Sequence, residues 1–178
     1  MFDVGHGMGS FSFEVAETAI GAGFLPDTIS TDLQNRHAGQ SPQHDLPLVM
    51  SKLSAAGMTD TDLFRAVTAT PAAVLGIEDE AGSLPVCEFF DSPAVGWNKR
   101  CAVPAIRMVI DLSSAGTALR SFQPTENSQP LRAGSTADLV VLDRKPDIAM
   151  SDVHGEIRSG NRFSACCVVR EGQLVIGN

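Results

Sequence analysis

The sequence predicts an α/β protein in which strands and helices alternate first and strands follow without helices. Residues 1–76 alternate apolar or β-branched runs with segments whose apolar residues have helical spacing. Residues 77–133 show no sustained period, and residues 134–178 contain strand-like runs separated by turn residues. We therefore expect a strand and helix region at 1–76, an irregular insertion or junction at 77–133 and a set of strands at 134–178.

Two strands are predicted to flank the first helix. The apolar run 2–5 ends in glycine, and Ser10 or Ser12 can cap the helix that follows. The apolar face of this helix consists of Phe13, Ala16, Ala19 and Ile20. The run 27–32 is β-branched at its centre, which predicts a buried strand with Asp32 at its carboxyl end.

Three further helices are predicted before residue 76. The first has apolar residues spaced for one helix face, namely Leu46, Val49, Met50 and Leu53. Gly57 is placed to end that helix, and Thr59 can cap the next one. The last helix is expected to have Thr70 as its cap, with Gly76 just past its end.

The C-terminal region is predicted to contain three strands. An apolar, β-branched run at 137–143 forms the first, and 163–170 and 173–176 form the others. Glu171 and Gly172 separate the last two runs, which is the spacing of a tight hairpin.

Composition excludes several classes of protein. With 13 Lys and Arg against 21 Asp and Glu, the net charge of −8 disfavours a nucleic-acid partner, because phosphate binding needs clustered cations. The apolar runs are far shorter than the roughly 20 residues that span a bilayer, and no signal peptide is visible. The four cysteines form no CxxC pair, so we expect reduced thiols in a cytoplasmic protein. They are Cys87, Cys101, Cys166 and Cys167.

The strand ends carry the candidate chemistry. Asp32 ends an apolar strand, where a carboxylate either serves a site that binds metal or moves a proton, or caps backbone N–H groups. His6, between Gly5 and Gly7, is either a polar group at the mouth of a site or a hydrogen-bonded structural histidine. The glycine-rich turn at 5–10 offers a third hypothesis, an anion or nucleotide site at the helix N-terminus, although Ser10 stands where the dinucleotide fingerprint needs its third glycine.

Three other histidines are expected to have exposed polar roles. His37 and His44 lie in the polar loop 33–45 without metal-ligand spacing between them. His154 lies in a polar turn beside glycine.

Several runs of the sequence resemble the C-terminal half of the amidohydrolase superfamily, and more narrowly its deacetylase branch, which is related to dihydroorotases and hydantoinases. In the first region these runs are FDVGHG (2–7), GSFSF (9–13), GFLPDTISTDL (23–33), DLP (45–47), VMSKL (49–53) and TPA (70–72). In the last region they are ADLVVL (137–142), GE (155–156), Gly160 and VREG (169–172).

The resemblance implies a fold and a set of site residues. The fold is a metal-dependent TIM-type (β/α)₈ barrel beside a small β-sandwich, with this chain supplying the last barrel strands, the closing helices and the sandwich strands. Asp32 matches the family's strand-eight aspartate, which binds the metal and takes a proton from the attacking water. His6 matches a position near the substrate, and Gly5 and Gly7 would let the backbone approach it.

The implied function is hydrolysis of a non-peptide or cyclic amide with a divalent metal, expected to be zinc. The family's first-strand His-x-His pair, bridging lysine and middle-strand histidines have no counterpart here. We therefore expect an incomplete C-terminal fragment that is inactive by itself and is completed by an N-terminal part or forms a homo-oligomer. The alternative is a non-catalytic remnant or interaction module that binds a partner chain through open strand edges.

Overall fold

The computed structural model describes residues 1–7, 9–35, 39, 41–79, 81–82, 109–111, 138–170 and 173–177. The helices in this part of the chain are α1 (Phe13–Gly21), α2 (Leu46–Ala55), α3 (Asp60–Val67) and α4 (Ala69–Leu75). The strands are β1 (Asp3–Val4), β2 (Thr28–Ile29), β3 (Val109–Asp111), β4 (Leu139–Ser151), β5 (Ile157–Arg170) and β6 (Gln173–Gly177). Helices and strands therefore both contribute, as an α/β class requires.

Strands β1 and β2 form a parallel pair, and α1 connects them. Asp3 pairs with Thr28, and its carboxylate accepts hydrogen bonds of 2.6 Å from the hydroxyls of Thr28 and Ser30. The predicted strand 27–32 is wrong in its extent, because β2 ends at Ile29. Asp32 has a φ of 48°, which an extended strand cannot accommodate, and it lies in the segment after the strand.

Helix caps decide where the helices begin. Ser12 is the N-cap of α1 and Thr59 that of α3, each accepting a hydrogen bond from a backbone N–H in the first turn. The expected cap at Thr70 is wrong, because α4 begins at Ala69. Thr68 is both the C-cap of α3 and the N-cap of α4. Gly76, with a φ of 70°, ends α4 as expected.

The second sheet has the order β3-β4-β5-β6, in which β3 and β4 are parallel and the other neighbours antiparallel. Strand β4 extends well beyond the predicted run 137–143 and continues through Pro146. Its register with β5 shifts between Lys145 and Ile148, because proline has no N–H to donate to the ladder. The expected hairpin turn at 171–172 lies outside the described residues, although β5 and β6 pair as a hairpin requires.

Helix α2 packs against β5 and joins the helices and the sheet in one hydrophobic core. The buried hydroxyl of Ser51 accepts a hydrogen bond of 2.8 Å from the N–H of Phe163. Gly160 lets the two elements approach closely, since a Cβ there would lie 2.9 Å from the Cβ of Ala55. The most deeply buried apolar side chains of this core are Phe13, Val49, Met50, Leu63, Leu142 and Phe163.

The turn between β4 and β5 is attached to the N-terminus of α1. The N–H of Val153 donates to the carbonyl of Phe11 at 3.1 Å. Arg158 donates two hydrogen bonds, of 2.6 and 3.1 Å, to the carboxylate of Glu17 on α1. Within the described residues, no helix has the length and apolarity needed to cross a bilayer.

Candidate functional site

The carboxyl ends of β1 and β2 bring the sequence-predicted site residues together. The two strands are parallel, so the segments that follow them leave the sheet at the same edge. Gly5, His6 and Gly7 follow β1, and Asp32 follows β2. The N–H of Gly7 donates to the carbonyl of Thr31 at 3.1 Å, which holds the two segments side by side.

Gly5 and Gly7 pack directly against Asp32. A Cβ built on Gly5 would lie 2.9 Å from the Cβ of Asp32 and 3.0 Å from the hydroxyl oxygen of Ser30. A Cβ on Gly7 would collide with the Oδ2 atom of Asp32, and the φ of 42° at Gly7 also favours glycine. The Asp32 side chain therefore fits here because Gly5 leaves room for its Cβ and Gly7 leaves room for its carboxylate.

The Asp32 side chain is exposed at this edge of the sheet. Its left-handed backbone conformation is one that aspartate adopts more readily than most residues, and it turns the chain away from the strand direction. The hydrogen bonds of the described residues include no backbone N–H that donates to this carboxylate, as a cap would require. Asp32 is therefore an accessible carboxylate whose side chain packs closely against Gly5 and Gly7.

His6, between Gly5 and Gly7 in the chain, is fully buried. The imidazole of His44 lies against it, with ring centroids 5.1 Å apart and planes inclined by 38°. The sequence predicted an exposed role for His44, whereas its side chain is half-buried and packs against His6. Loop residues have no periodicity that would reveal such a contact.

The other sequence-predicted side chains lie outside this site or outside the described residues. His37, Cys87 and Cys101 belong to the second group. His154 is exposed and lines a separate polar cavity of about 300 Å³ between the start of α1 and the turn after β4. Cys166 and Cys167 are free thiols on β5.

A metal site needs several ligands, and three or more is the usual protein contribution. Among the described residues, no group of three or more His, Cys, Asp and Glu side chains is close enough to hold a metal ion. Of the residues assigned to the site, Asp32 is the one that the resemblance to the amidohydrolases makes a metal ligand. The described part of the chain therefore does not fit a complete metal site.

Comparisons with known proteins give related sequences and folds. No family model matches the chain. It is 47% identical over 78 residues to a deacetylase of Agrobacterium fabrum, an alignment that covers 44% of this chain and 19% of the deacetylase. A dihydroorotase crystal structure matches 99% of the chain with a TM-score of 0.62 and 28% identity, and the match covers 35% of the dihydroorotase.

An adenine deaminase crystal structure has the same fold over 99% of the chain, with a TM-score of 0.63 and 22% identity, and the match covers 36% of the deaminase. The resemblance to the amidohydrolase superfamily is confirmed. The similar proteins are named deacetylase and dihydroorotase, which is the branch that the sequence indicated. The chain spans about a fifth of the curated amidohydrolase that it matches and about a third of the solved ones.

The amidohydrolase neighbours also bear on the fold. They support a partial α/β fold of mixed helices and strands, like a portion of a TIM-barrel amidohydrolase. The division at residues 76 and 133 stays a prediction, as does the assignment of the C-terminal strands to a sandwich. Strand β3 lies inside the segment 77–133 and pairs with β4.

Proposed function

We propose that this chain carries the carboxylate side of an amidohydrolase active site that hydrolyses a non-peptide or cyclic amide. Asp32 is the proton-transferring residue, His6 contacts the substrate, and Gly5 and Gly7 form the backbone wall beside it. The observation that carries the proposal is the exposed Asp32 carboxylate, which packs on two glycines at the shared carboxyl ends of two parallel strands. The relatives named deacetylase and dihydroorotase support the reaction class.

Amide hydrolysis gives Asp32 a defined task. The water oxygen bonds to the carbonyl carbon and the C–N bond breaks, so one proton must leave the water and one must reach the departing nitrogen. A carboxylate within hydrogen-bond reach of both atoms accepts the first proton and donates the second. Because the Asp32 side chain is exposed, an incoming substrate and its water can reach it.

Metal dependence is part of the proposal, with zinc as the expected ion. A divalent ion bound beside Asp32 would polarise the carbonyl and lower the pKa of water. The described residues contain no group of three ligands, so Asp32 would be one ligand and the others would come from elsewhere. The proton transfer by Asp32 is argued from its carboxylate and its position alone.

We further propose that a complementing part completes the site. The β1 and β2 pair is a parallel ladder of two residues on each strand, and parallel ladders are normally buried within larger sheets. Phe2 and Phe24 lie beside it with ring centroids 5.1 Å apart, and both are exposed. An additional strand beside β1 would cover this apolar surface. The same surface supports the second candidate, a non-catalytic module that binds a partner chain.

The test uses the chain alone and co-expressed with the N-terminal part of the Agrobacterium deacetylase. Hydrolysis of N-acetylated amino acids and of cyclic amides is measured for the wild type, Asp32→Asn and Asp147→Asn. Asp147 is a matched control, because it is also an exposed aspartate with a positive φ, of 56°, and it lies on β4. Asparagine tolerates that backbone conformation, so both variants should fold.

We expect the Asp32→Asn assembly to lose at least about 100-fold in kcat, within the range general acid–base catalysis contributes, while Asp147→Asn retains wild-type turnover. Wild-type turnover in Asp32→Asn would remove Asp32 from the mechanism. A stable assembly that hydrolyses none of these amides would favour the non-catalytic module.

A further inference from the structure

We propose that His44 is a positioning residue that fixes the orientation of the His6 imidazole beside the Asp32 site. The inference rests on the proposed function, in which His6 contacts the substrate, and it adds a residue that the sequence did not indicate. The direct observation is the packing of the two imidazole rings, whose centroids lie 5.1 Å apart. Because His6 is fully buried and His44 is half-buried, solvent has little access to the contact between the rings.

The backbone of His6 is held firmly on its own side. Its carbonyl accepts a hydrogen bond of 3.0 Å from the N–H of Ser10, and the next residue, Gly7, donates to the carbonyl of Thr31. These bonds fix where the side chain begins but do not act on its ring. The χ2 torsion of histidine is broad, so the angle of the ring depends on the groups packed against it, and the imidazole of His44 is one of them.

His44 is attached on the other side to a residue whose position is fixed. His44 directly precedes Asp45, the N-cap of α2, whose carboxylate accepts a hydrogen bond of 3.0 Å from the N–H of Leu48. The carboxylate of Asp45 also lies 4.0 Å from the guanidinium of Arg162 on β5. His44, the residue before this N-cap, is therefore held next to a fixed point at the start of α2.

Helix α2 is in turn fixed by the sheet. The hydrogen bond between Ser51 and Phe163 is buried, and the close approach of Gly160 to Ala55 sets the distance between α2 and β5. A continuous set of contacts thus runs from β5 through α2 to His44 and on to His6. By this route, packing in the C-terminal sheet determines the angle of a ring beside Asp32.

The consequence for catalysis is specific. A misplaced substrate contact weakens binding of the ground state and the transition state together, which raises KM and leaves kcat nearly unchanged. Loss of Asp32, by contrast, removes the proton transfer and lowers kcat. The two roles can therefore be separated in one set of kinetic measurements.

The contact itself is tested on the 178-residue chain as it stands, by long-range ¹H–¹⁵N NMR of the histidine rings. The variants are His44→Ala, His44→Phe and, as a control, His154→Ala at the exposed turn. We expect His44→Ala to shift the ring resonances of His6 and to allow two ring orientations. His44→Phe, which keeps a ring in place, should retain one orientation, and His154→Ala should match the wild type. His6 resonances that are unchanged in His44→Ala would overturn the inference.

The role is tested in the co-expressed assembly. We expect His44→Ala to raise KM about tenfold with a kcat within about twofold, because a contact that binds ground state and transition state equally is weakened, and His44→Phe to restore most of the loss. Thermal unfolding of each variant identifies any that fails to fold, in which case His44→Phe against His44→Gln gives the comparison. Unchanged KM in all His44 variants, with Asp32→Asn inactive, overturns the inference and leaves the proposed function intact. Full turnover in Asp32→Asn removes the proposed function and the inference with it.

Discussion

The carboxylate of Asp152, in the turn between β4 and β5, accepts a hydrogen bond of 2.9 Å from the backbone N–H of Phe13, the first residue of α1. The same carboxylate also accepts hydrogen bonds from the N–H groups of His154 and Glu156 within its own turn, at 2.8 and 2.9 Å. One side chain therefore both forms the turn and attaches it to the helix that follows the candidate site.

This attachment predicts a pH dependence of stability. Desolvation raises the pKa of Asp152, but the hydrogen bonds from Phe13, Glu156 and His154 outweigh it and hold the pKa below its ordinary value of 3.8. A folded-state pKa below the unfolded one gives stability that is present above about pH 3.8 and is lost as the pH falls through the lower, folded value. We expect wild-type thermal stability to fall more steeply than that of Asp152→Asn as the pH is lowered from 5 to about 3. Asp147→Asn should follow the wild type, and equal slopes for all three proteins would contradict the assignment.

The glycines beside Asp32 predict that alanine substitutions lower stability to different extents. Gly7→Ala adds a methyl group that meets the Asp32 carboxylate at a positive φ, and Gly5→Ala adds one against the Asp32 Cβ at 2.9 Å. We expect losses of about 1–3 kcal/mol in the free energy of unfolding, larger for Gly7, from overpacking and backbone strain. Gly9→Ala is the control, because a Cβ there meets nothing within 4 Å. Urea denaturation gives the three values, and equal stability of Gly7→Ala and Gly9→Ala would show that the glycines do not confine Asp32.

Much of the helical structure follows from the sequence because apolar spacing directly reports burial. The predicted inner face of α2 includes Val49, Met50 and Leu53, and all three are buried in the core. The cap at Thr59 and the stop at Gly76 are equally local signals and are where the sequence placed them. Such features depend on a few neighbouring residues, which a single sequence contains.

The sequence predicted which residues belong to the site better than it predicted how they are arranged. Asp32 was singled out by its place after a β-branched run, but that run does not show that the strand stops at Ile29 and that the chain then turns to a positive φ. The contact of His44 with His6 depends on how a polar loop returns from β2 to α2, and no periodic pattern encodes that path. The extension of β4 through Pro146 likewise depends on pairing with β5.

The buried hydroxyl of Ser51 predicts a loss of stability when it is removed. Ser51→Ala leaves the N–H of Phe163 without its acceptor in the core, and an unsatisfied buried donor costs about 1–3 kcal/mol. Ser54→Ala, on the same helix at a partly buried position, is the control. Urea denaturation should show the loss for Ser51→Ala alone, and a difference below about 0.5 kcal/mol between the two variants would contradict the assignment.

Lys52 predicts a gain of stability on removal of its charge. This side chain is 6% exposed and lies over the ring of Phe11, with its Nζ atom 5.5 Å from the ring centre. Burial lowers the pKa of Lys52, the charge of Asp152 opposes this shift, and the charge of Arg162 adds to it. A lysine whose folded pKa lies below its unfolded value of 10.5 destabilises the fold at neutral pH, and this penalty fades as the pH rises from the folded pKa toward 10.5.

Lys52→Met should therefore unfold at a higher temperature than the wild type at pH 7, because it keeps the apolar length of the side chain and removes the buried charge. The difference should shrink as the pH is raised toward 10. Lys145→Met, at an exposed position on β4, should change the unfolding temperature little at any pH. A lower unfolding temperature for Lys52→Met than for Lys145→Met at pH 7 would mean that the attraction between Lys52 and Asp152, together with the contact with Phe11, outweighs the cost of burying the charge.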